Sequence, residues 1–423
     1  MEREKLWLGQ QLRQQEQKEW PQDAPQYRGV NLGGWLVLES WMYPDWWHMT
    51  GVPLWKGEFQ FNEILKDKAL PLLRAHWDQW VTRDELVRLK DAGITYLRIP
   101  IGYWILGKEW LLPGDTYQPG GWPYLERALG WASELGLKCI IDLHGAPGAQ
   151  NGNDNSGFSG GNTAINWTQP SNLARTTDVL VYLAQNLTKL NASKEMEGSI
   201  AGLCLLNEPW TTAVGGPVQL DTLKSWLQTT TDAVLATGWK GDVWFPDGFA
   251  LDWDGWRDFL TPPEYPRNIF ADAHIYMMFD DAVADLDAAG QAQNFCREDN
   301  HYRQQLERAG GVGSGVVVGE YSMDFRKWPT SFPYSNETLT GLQDLLLVQQ
   351  HLYNVIGDKR ENAAVGGFFW SFKSLGRVDI QTFDQSDLAV DNSFNNLHSP
   401  WSYLSLLTDG VASPNLAKAT PPC

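Results

Sequence analysis

Two glutamates of this sequence follow apolar, strand-like segments at the points where parallel strands of a sheet would end. Glu208 stands in "IAGLCLLNEPW" and Glu320 stands in "GVVVGEYS". A single acid in such a position is more often a solvated loop residue, but a pair of carboxyl groups is what hydrolysis of a glycosidic bond requires. One carboxyl group protonates the leaving oxygen, and the other attacks the sugar or activates a water molecule. The two segments therefore predict a catalytic pair.

Other chemically useful side chains stand at the ends of most of the remaining strand-like segments. The set comprises Glu39, Arg98, His144, Asn207, Asp247, His274, Tyr276 and Trp370. Taken singly, the arginine is explained as a buried ion-pair partner, the histidines as hydrogen-bonded structural residues and the tryptophan as core. Their recurrence at the ends of successive strands instead indicates one site that several loops share.

Eight strand-like segments have to position these side chains. They cover 27–39, 94–102, 137–145, 200–209, 242–249, 268–277, 315–322 and 364–373. Amphipathic helical segments separate most of them, at 82–93, 124–136, 172–190, 220–238, 300–310 and 339–357. This alternation predicts an α/β fold in which a parallel sheet closes on itself, the single (β/α)₈ TIM barrel. An open, doubly wound parallel sheet is the alternative.

The chain divides into a short tail and one long domain. Residues 1–26 are rich in glutamine and in charged residues and lack a clear apolar face, so we interpret them as an N-terminal tail. Residues 27–423 contain neither an internal repeat nor a low-complexity linker. We therefore predict one catalytic domain over residues 27–423.

Composition narrows the class of partner. The formal net charge of −18 argues against nucleic acid and anionic membranes, both of which attract proteins with an excess of lysine and arginine. No apolar stretch reaches the length of about 18 residues that predicts a transmembrane helix. The 23 tryptophans suit sugar rings as well as protein cores, because an indole offers flat apolar faces and one polar N–H.

Competing catalytic motifs fail on their context. "GFSGG" at 157–161 matches a nucleophile elbow by its letters, but it lies in a loop rich in glycine and asparagine instead of between a strand and a helix. "GVGSGV" at 311–316 precedes a strand, so it predicts no phosphate-binding loop. The seven histidines show no metal-ligand spacing. We therefore predict neither a metal ion nor a cofactor.

Several motifs together resemble a known enzyme family. The segments "RIPIGYW", "IDLHGAPGAQNGNDNSG", "LLNEPW", "VVGEYS" and "FFWSFK" occur in this order and resemble glycoside hydrolase family 5. "RGVNLGGWLVLE" and the "HGAPGAQNG" loop narrow the resemblance to the fungal exo-β-1,3-glucanase subgroup. The resemblance covers about residues 27 to 423. It implies a TIM barrel that hydrolyses β-glucan with retention of configuration, in a double displacement through a covalent glycosyl-enzyme.

The resemblance also implies a role for each matched residue of the catalytic centre. Glu208 matches the acid/base and Glu320 matches the nucleophile. Asn207 would hold the 2-hydroxyl group of the sugar in the cleavage subsite. Arg98 and Tyr276 would position and polarise the nucleophile.

The same resemblance implies the residues that line the sugar pocket. His144 and His274 would line the cleavage subsite, and Trp370 would form its floor by stacking on the sugar ring. Glu39 matches a residue that binds hydroxyl groups of the glucose at the non-reducing end. Asp154, with Asn155 next to it, lies in the loop beside this pocket.

Two positions depart from the pattern of the subgroup. Tyr321 stands where the subgroup usually has tryptophan. Asn153 stands where it usually has an aromatic residue, whose ring clamps the next sugar together with a second aromatic that Phe279 matches here. One half of this clamp is therefore missing, and the linkage preference stays open.

Cysteines and glycosylation sequons bear on where the protein resides. Cys139 and Cys204 stand inside apolar segments and are expected in the core, and the resemblance implies a disulfide between Cys296 and Cys423. Four Asn-x-Ser/Thr sequons occur, at Asn166, Asn186, Asn191 and Asn336. The start, "MEREKLWLGQ", is too charged for a signal peptide. We expect a secreted or cell-wall-associated glycoprotein whose leader is absent from this chain.

The function favoured by these observations is an exo-β-1,3-glucanase that releases glucose from the non-reducing ends of β-1,3-glucan. An endo-β-1,6-glucanase or a broad β-glucosidase on the same scaffold is one alternative. A non-catalytic glucan-binding protein is an alternative of another class. In each case we expect a monomer whose partner is a glucan polysaccharide or oligosaccharide.

Overall fold

The computed structural model describes residues 27–249, 253–329, 332–355, 364–375 and 398–413. Within these ranges eight parallel strands form one closed barrel in chain order. They are β1 (Tyr27–Asn31), β2 (Tyr96–Gly102), β3 (Lys138–Gly145), β4 (Ile200–Cys204), β5 (Asp242–Pro246), β6 (Ile269–Ile275), β7 (Val316–Tyr321) and β8 (Ala364–Phe369). The expected tail, 1–26, lies outside the described residues.

The barrel closes where β1 pairs with β8. Tyr27 aligns with Gly366 and Val30 aligns with Phe369 in parallel register. Gly29 permits this close approach, because a Cβ atom there would lie 2.1 Å from the ring of Phe368. The closure confirms the TIM barrel predicted from the sequence. It also shows that the open-sheet alternative is wrong, since an open sheet would leave β1 and β8 unpaired with each other.

Helices connect the strands on the outside of the barrel. The described residues contain α1 (Pro44–Thr50), α2 (Glu58–Leu65), α3 (Ala69–Gln79), α4 (Arg83–Asp91), α5 (Trp122–Leu135), α6 (Pro170–Asn191), α7 (Leu220–Ala236), α8 (Ala288–Cys296), α9 (His301–Arg308), α10 (Asn336–Val355) and α11 (Tyr403–Thr408). In this part of the chain, no helix combines the length and the apolar character that crossing a membrane would require.

The six helices expected from the sequence all occur, and their local signals explain their limits. Thr82 starts α4 with a capping box, in which its side chain accepts from the N–H of Glu85 while the Glu85 side chain accepts from the N–H of Thr82. Gly136 ends α5 in a left-handed conformation with a φ of 70°. Helices α1, α2, α3, α8 and α11 were not predicted.

Two layers fill the barrel below the site. The lower layer is an aromatic and aliphatic cluster that includes Tyr27, Trp244, Phe270 and Phe368. The hydroxyl group of Tyr27 donates to Asp242 at 2.6 Å, which pairs the one polar end of this ring. The layer above is charged and surrounds a fully buried arginine of β2. This rigid interior supports the side chains at the C-terminal end of the barrel, where TIM barrels place their sites.

Most strands end earlier than their apolar patterns predicted, and β1 and β4 differ the most. β1 ends at Asn31, so Glu39 lies in the long connection that follows it. β4 ends at Cys204, so Asn207 and Glu208 lie on a loop and do not close the strand. The intervening Leu205 and Leu206 are fully buried although they lie outside the strand. Burial, and not strand structure, explains the apolar run at this point.

Candidate active site

The carboxyl groups of Glu208 and Glu320 face one another with the imidazole of His274 between them. Nδ1 of His274 lies 2.7 Å from Oε1 of Glu208 and 3.4 Å from Oε2 of Glu320. One oxygen of each carboxylate and one nitrogen of the imidazole all lie within 4.8 Å of one another. Only 13% of the Glu208 side chain and 4% of the Glu320 side chain are exposed. The two acids predicted from the sequence as a pair are therefore close neighbours in a largely buried site.

The backbone at Glu208 aims its carboxyl group into this site. Its φ is 43°, a left-handed conformation that is uncommon for a residue other than glycine. Hydrogen bonds on both sides maintain this conformation. The N–H of Asn207 donates to the carbonyl of Leu143 at 3.0 Å, and the N–H of Trp210 donates to the carbonyl of Gln150 at 3.1 Å. The loop after β4 is thus anchored to β3 and to the loop that follows it.

Arg98 lies beneath Glu320 inside the barrel and is fully buried. Its Nη1 donates to Oε1 of Glu320 at 2.7 Å and to Oδ1 of Asn31 at 3.0 Å. Its Nη2 donates to Oδ1 of Asn207 at 2.9 Å. Arg98 sits within β2 and not at its end, and its long side chain reaches the site from below. One guanidinium group therefore orients both Glu320 and Asn207.

Two aspartates that the sequence analysis missed balance the charge of Arg98. Nη2 of Arg98 lies 3.2 Å from Oδ2 of Asp142 and 3.5 Å from Oδ2 of Asp272. Burial alone would raise the pKa of Asp142, but Arg98 and His144 outweigh it and lower this pKa. The signal was present in the sequence, because each aspartate interrupts an apolar strand. A buried acid in such a place requires a buried cation.

Asn207, His144 and Trp370 form a connected wall of the site. Nδ1 of His144 lies 2.6 Å from Oδ2 of Asp142, and its Nε2 lies 3.3 Å from Nδ2 of Asn207. These distances indicate that His144 donates from Nδ1 and accepts at Nε2. The ring of Trp370 stacks on that of His144 with centroids 5.4 Å apart and an angle of 7° between the planes. The wall thus joins an oriented amide to a buried indole ring, of which only 3% is exposed.

Tyr276 completes the hydrogen bonding of Glu320. Its hydroxyl group donates to Oε2 of Glu320 at 2.7 Å, so each oxygen of this carboxylate has its own donor. Burial, followed by the charges of Glu320 and Glu208, raises the pKa of Tyr276 well above its ordinary value. The phenol therefore keeps its proton and remains a donor. Two donors, one within β2 and one just after β6, fix the plane of the Glu320 carboxylate.

The position of one proton follows from the charges around His274. Burial alone would lower the pKa of His274, but the carboxylates of Glu320 and Asp272 raise it well above its ordinary value. Burial alone would raise the pKa of Glu208, but the hydrogen bond and charge of His274 lower it. Burial raises the pKa of Glu320, although the positive charges of His274 and Arg98 act to lower it. The free site therefore holds a proton on His274, hydrogen-bonded to an ionised Glu208.

By distance alone, Glu208, His274 and Glu320 could also hold a metal ion. Two features oppose this interpretation. A protonated imidazole has no free lone pair for a metal. The guanidinium group of Arg98, 2.7 Å from Oε1 of Glu320, already supplies positive charge at this carboxylate. The arrangement favours a shared proton at this position, and the expectation of no metal stays a prediction.

Glu39 and Asp154 form a second acidic region of the site wall. Glu39 is buried, and its Oε2 accepts from Nε1 of Trp41 at 3.2 Å, whereas its Oε1 accepts no hydrogen bond from the described residues. Burial and the nearby Asp154 raise the pKa of Glu39 well above its ordinary value. Burial raises the pKa of Asp154 to about 6, although hydrogen bonds from Asn155 and Ser40 act to lower it. These carboxyl groups suit recognition of sugar hydroxyl groups.

Two further loop residues reach the candidate site. Asn155 donates from Nδ2 to Oε2 of Glu208 at 2.8 Å. Gln150, which the sequence analysis did not single out, is fully buried and donates from Nε2 to the carbonyls of His144 and Asn207 at 2.6 and 2.9 Å. The loop after β3 therefore packs directly on the loop that carries Glu208. A glutamine in a glycine-rich loop gives no sequence signal for this role.

The two remaining predicted binding residues lie at the surface and not among the buried groups. Asn153 is exposed at the start of a short turn in the loop after β3. Phe279 is 55% exposed, and its ring packs edge to face on that of Tyr276 with centroids 6.0 Å apart. Asp247, another strand-end residue, is buried after β5. The roles of Asn153 and Phe279 stay predictions.

Two cysteines are confirmed as core residues, whereas the disulfide and the glycosylation of the sequons stay predictions. Cys139 and Cys204 are buried and free, as expected of core residues. Cys423 lies outside the described residues, so its pairing with Cys296 stays a prediction. Of the sequon residues, Asn166 and Asn336 are exposed. The other two, Asn186 and Asn191, are half-buried in α6, and glycosylation of any of the four stays a prediction.

Comparison with known proteins identifies relatives over most of the chain. A probable glucan 1,3-beta-glucosidase A of Aspergillus fumigatus is 35% identical over 296 residues, which cover 70% of this chain and 64% of that protein. A glucan 1,3-beta-glucosidase of Blumeria graminis is 32% identical over 310 residues, which cover 71% of this chain and 66% of that protein. The aligned part of this chain thus spans slightly less than two thirds of the length of these relatives.

Structural and family comparisons agree with the barrel. The crystal structure of rutinosidase from Aspergillus niger superposes with a TM-score of 0.69, covering 92% of this chain and 98% of that one. The sequence identity is 20%, so this likeness concerns the fold. The family model described as cellulase (glycosyl hydrolase family 5) matches residues 63–351, more than half of the chain. The chain therefore belongs to glycosyl hydrolase family 5.

Proposed function

We propose that this chain is a retaining exo-β-1,3-glucanase that releases glucose from the non-reducing ends of β-1,3-glucan. The observation that carries the proposal is the arrangement of Glu208 and Glu320, because one oxygen of each carboxylate lies within 4.8 Å of the other beside His274. Retaining enzymes hold their carboxyl groups about 5–5.5 Å apart, whereas inverting enzymes leave about 6.5–9.5 Å for a water molecule. The short separation supports direct attack on the sugar by one of the two acids.

Glu320 is the nucleophile in this proposal. Its two oxygens accept from Arg98 and Tyr276, both at 2.7 Å, so the carboxylate is held in one orientation. An oxygen of Glu320 forms a bond to the anomeric carbon as the bond to the leaving oxygen breaks. Water then cleaves the resulting ester and regenerates the Glu320 carboxylate.

Glu208 is the acid in the first step and the base in the second. In the free site its partner His274 holds the proton, across a hydrogen bond of 2.7 Å. A sugar that enters the site displaces water and disfavours the separated charges of His274 and Glu208, so the proton moves to Glu208. Glu208 then delivers this proton to the leaving oxygen, and later removes one from the attacking water.

The wall that contains Glu39 and Asp154 supports action at chain ends. Carboxyl groups beside the cleavage position, with an oxygen of Glu39 that accepts no bond from the described residues, suit hydroxyl groups of a terminal glucose. Trp370 offers its face to the same sugar. The fungal relatives are named glucan 1,3-beta-glucosidases, which supports the β-1,3 linkage.

The proposal also includes the location of the enzyme, its partner and its oligomeric state. The exposed sequon residues Asn166 and Asn336 support a secreted or cell-wall-associated glycoprotein. The partner is then a β-glucan polysaccharide or oligosaccharide, and the enzyme acts on it as a monomer.

Product analysis on two polymers tests the proposed function. Laminarin, a β-1,3-glucan, should yield glucose alone from the first minutes of reaction, with retained β-configuration by NMR. Pustulan, a β-1,6-glucan, should react far more slowly. Oligosaccharide products from pustulan would support an endo-β-1,6-glucanase instead, and equal rates on both polymers would support a broad β-glucosidase. Binding of laminarin without any product would support a non-catalytic glucan-binding protein.

A further inference from the structure

A cavity of about 510 Å³ lies between the start of α2 and the loops that follow β2 and β3. Its volume is within the range of about 300–1,000 Å³ that is common for ligand pockets. None of the predicted catalytic or sugar-binding residues lines it. A ligand in this cavity would therefore lie outside the pocket that contains Glu208 and Glu320.

Three aromatic rings line part of the cavity. Phe59 packs edge to face on Tyr117, with centroids 5.6 Å apart, and on Phe158, with centroids 4.8 Å apart. Tyr117 is buried and stacks on Trp104, with centroids 3.9 Å apart. Phe59 and Phe158 are half-buried, so each keeps part of its surface accessible. Such accessible faces suit the apolar face of a sugar ring.

Two polar side chains of the lining have unused capacity for hydrogen bonds. Asp115 accepts at Oδ2 from the hydroxyl group of Tyr103 and from the N–H of Leu112, whereas its Oδ1 accepts no hydrogen bond from the described residues. Oγ of Ser159 is buried and has no hydrogen-bond partner among the described residues. A buried hydroxyl group without a partner is uncommon in proteins, and this one suits a hydroxyl group of a ligand.

Hydrogen bonds between α2 and the loop after β3 maintain the shape of the cavity. The Gln60 side chain donates from Nε2 to the carbonyl of Ser159 at 2.7 Å and accepts at Oε1 from the N–H of Ser159 at 3.2 Å. The N–H of Phe59 donates to the carbonyl of Gly157 at 2.8 Å. Gly57 permits this approach, because a Cβ atom there would lie 2.5 Å from the backbone of Gly157. A cavity that is already formed requires little ordering when a ligand binds.

The loop after β3 contacts both the cavity and the catalytic pair. Phe158 lines the cavity, and Asn155 donates to Oε2 of Glu208 at 2.8 Å. These two residues are three positions apart, so their Cα atoms lie at most about 11 Å from each other. A single polysaccharide chain of several glucose units is therefore long enough to contact both sites.

We propose that this cavity is a second binding site for β-glucan, which holds an internal segment of the polymer while the non-reducing end lies in the catalytic pocket. The inference rests on the proposed function for the identity of the polymer. Among the described residues, no lysine or arginine lines the cavity, so its chemistry does not favour phosphate or sulfate. Aromatic faces beside a carboxylate and a hydroxyl group instead suit a neutral ring that is rich in hydroxyl groups.

The kinetic test compares a polymer with a disaccharide. Phe158→Ala removes one ring of the cavity and should raise KM for laminarin about fivefold to tenfold without changing kcat. Its kcat/KM for laminaribiose should stay unchanged, because two glucose units in the catalytic pocket do not reach the cavity. The matched control is Phe332→Ala, which removes a ring that is 46% exposed and lies outside the cavity lining. It should leave both substrates unaffected.

A binding measurement tests the cavity without bond cleavage. Asn166, a sequon residue, also lines the cavity, so N-glycans are first removed enzymatically to leave only sugar from solution. Laminarihexaose is then titrated by calorimetry while 1-deoxynojirimycin, an inhibitor shaped like glucose, saturates the catalytic pocket. Ala164→Trp fills the cavity from its lining and should weaken binding at least as much as Phe158→Ala does.

Two results would overturn the inference. One is equal affinity for laminarihexaose in the wild type, Phe158→Ala and Ala164→Trp. The other is a parallel loss of activity on laminarin and laminaribiose in Phe158→Ala, which would show that the ring only supports the loop carrying Asn155. A wild-type protein that does not cleave laminarin would contradict the proposed function instead. Binding of laminarihexaose that weakens in both variants would then still support the cavity as a sugar site.

Discussion

The imidazole of His274 and the carboxylate of Glu208 share a hydrogen bond of 2.7 Å, and their pKa values move in opposite directions. The pKa of His274 is raised, with the charge of Glu320 as the largest contribution against burial. The pKa of Glu208 is lowered, because the hydrogen bond and charge of His274 outweigh burial. In the proposed mechanism, the proton that Glu208 delivers is therefore held on His274, one hydrogen bond away.

This relationship predicts the alkaline limit of activity. The raised pKa keeps His274 charged above its ordinary value of 6.5, and activity should fall only as the pH rises through the raised pKa. At that point Glu208, Glu320 and Asp272 lose the cation between them. His274→Gln leaves the proton on a carboxyl group alone, which loses it at lower pH than an imidazolium. The alkaline midpoint of kcat/KM on an aryl β-glucoside should therefore move to lower pH. An unchanged midpoint would contradict the proton store.

Glu320 should be the residue that carries the sugar. A slow 2-fluoroglucoside traps the glycosyl-enzyme, because the ester forms faster than water cleaves it. We expect the label on Glu320, whose two oxygens are oriented by Arg98 and Tyr276. Mass spectrometry of the digested protein locates the label. Finding it on another residue, with Glu320 unmodified, refutes the assignment.

Glu208→Ala should affect substrates according to their leaving groups. A dinitrophenol leaves without much protonation, whereas a glucan oxygen needs a proton, so activity on glucan should fall about 10²–10⁴-fold and far more than activity on the dinitrophenyl glucoside. Azide fits the space left by the side chain and should accelerate the variant on the aryl substrate. Comparable losses on both substrates and no effect of azide would argue against Glu208 as the acid.

Arg98 should contribute strongly to stability as well as to activity. Arg98→Met leaves Asp142, Asp272 and Glu320 without their buried cation, which should cost about 3–5 kcal/mol of unfolding free energy. The matched control is Arg83→Met, whose ion pair with Glu134 is exposed and should contribute less than about 1 kcal/mol. Denaturant midpoints of both variants compare the two costs. Equal shifts would show that the buried network adds nothing to stability.

The predicted disulfide can be tested by counting thiols. Cys139 and Cys204 are buried and free, and the family resemblance implies a disulfide between Cys296 and Cys423. In denaturant without reductant, two thiols should react with an alkylating reagent, and both should map to the buried cysteines. In the chain-entropy model, closing the loop between Cys296 and Cys423 contributes up to about 4–5 kcal/mol to the free energy of unfolding. Four reactive thiols in freshly purified, oxidised protein would exclude the bond.

Local patterns in the sequence were enough to predict the barrel and the identity of the paired acids. Apolar runs of strand length alternate with amphipathic helical segments, and this periodicity depends only on which faces of each element become buried. The pattern failed where burial and strand structure separate. Leu205 and Leu206 are buried on a loop, so the apolar pattern predicted that β4 continues to Pro209, although it ends at Cys204.

Only the tertiary structure decided how these side chains work together. The separation of Glu208 and Glu320, which distinguishes retention from inversion, depends on the closure and register of strands far apart in sequence. The position of the proton on His274 depends on the summed charges of residues from several strands, which no local pattern contains. The sequence by itself determined which chemical groups are available, because residue types are local. Their distances and charges were decided by the fold, because each results from contacts between distant segments.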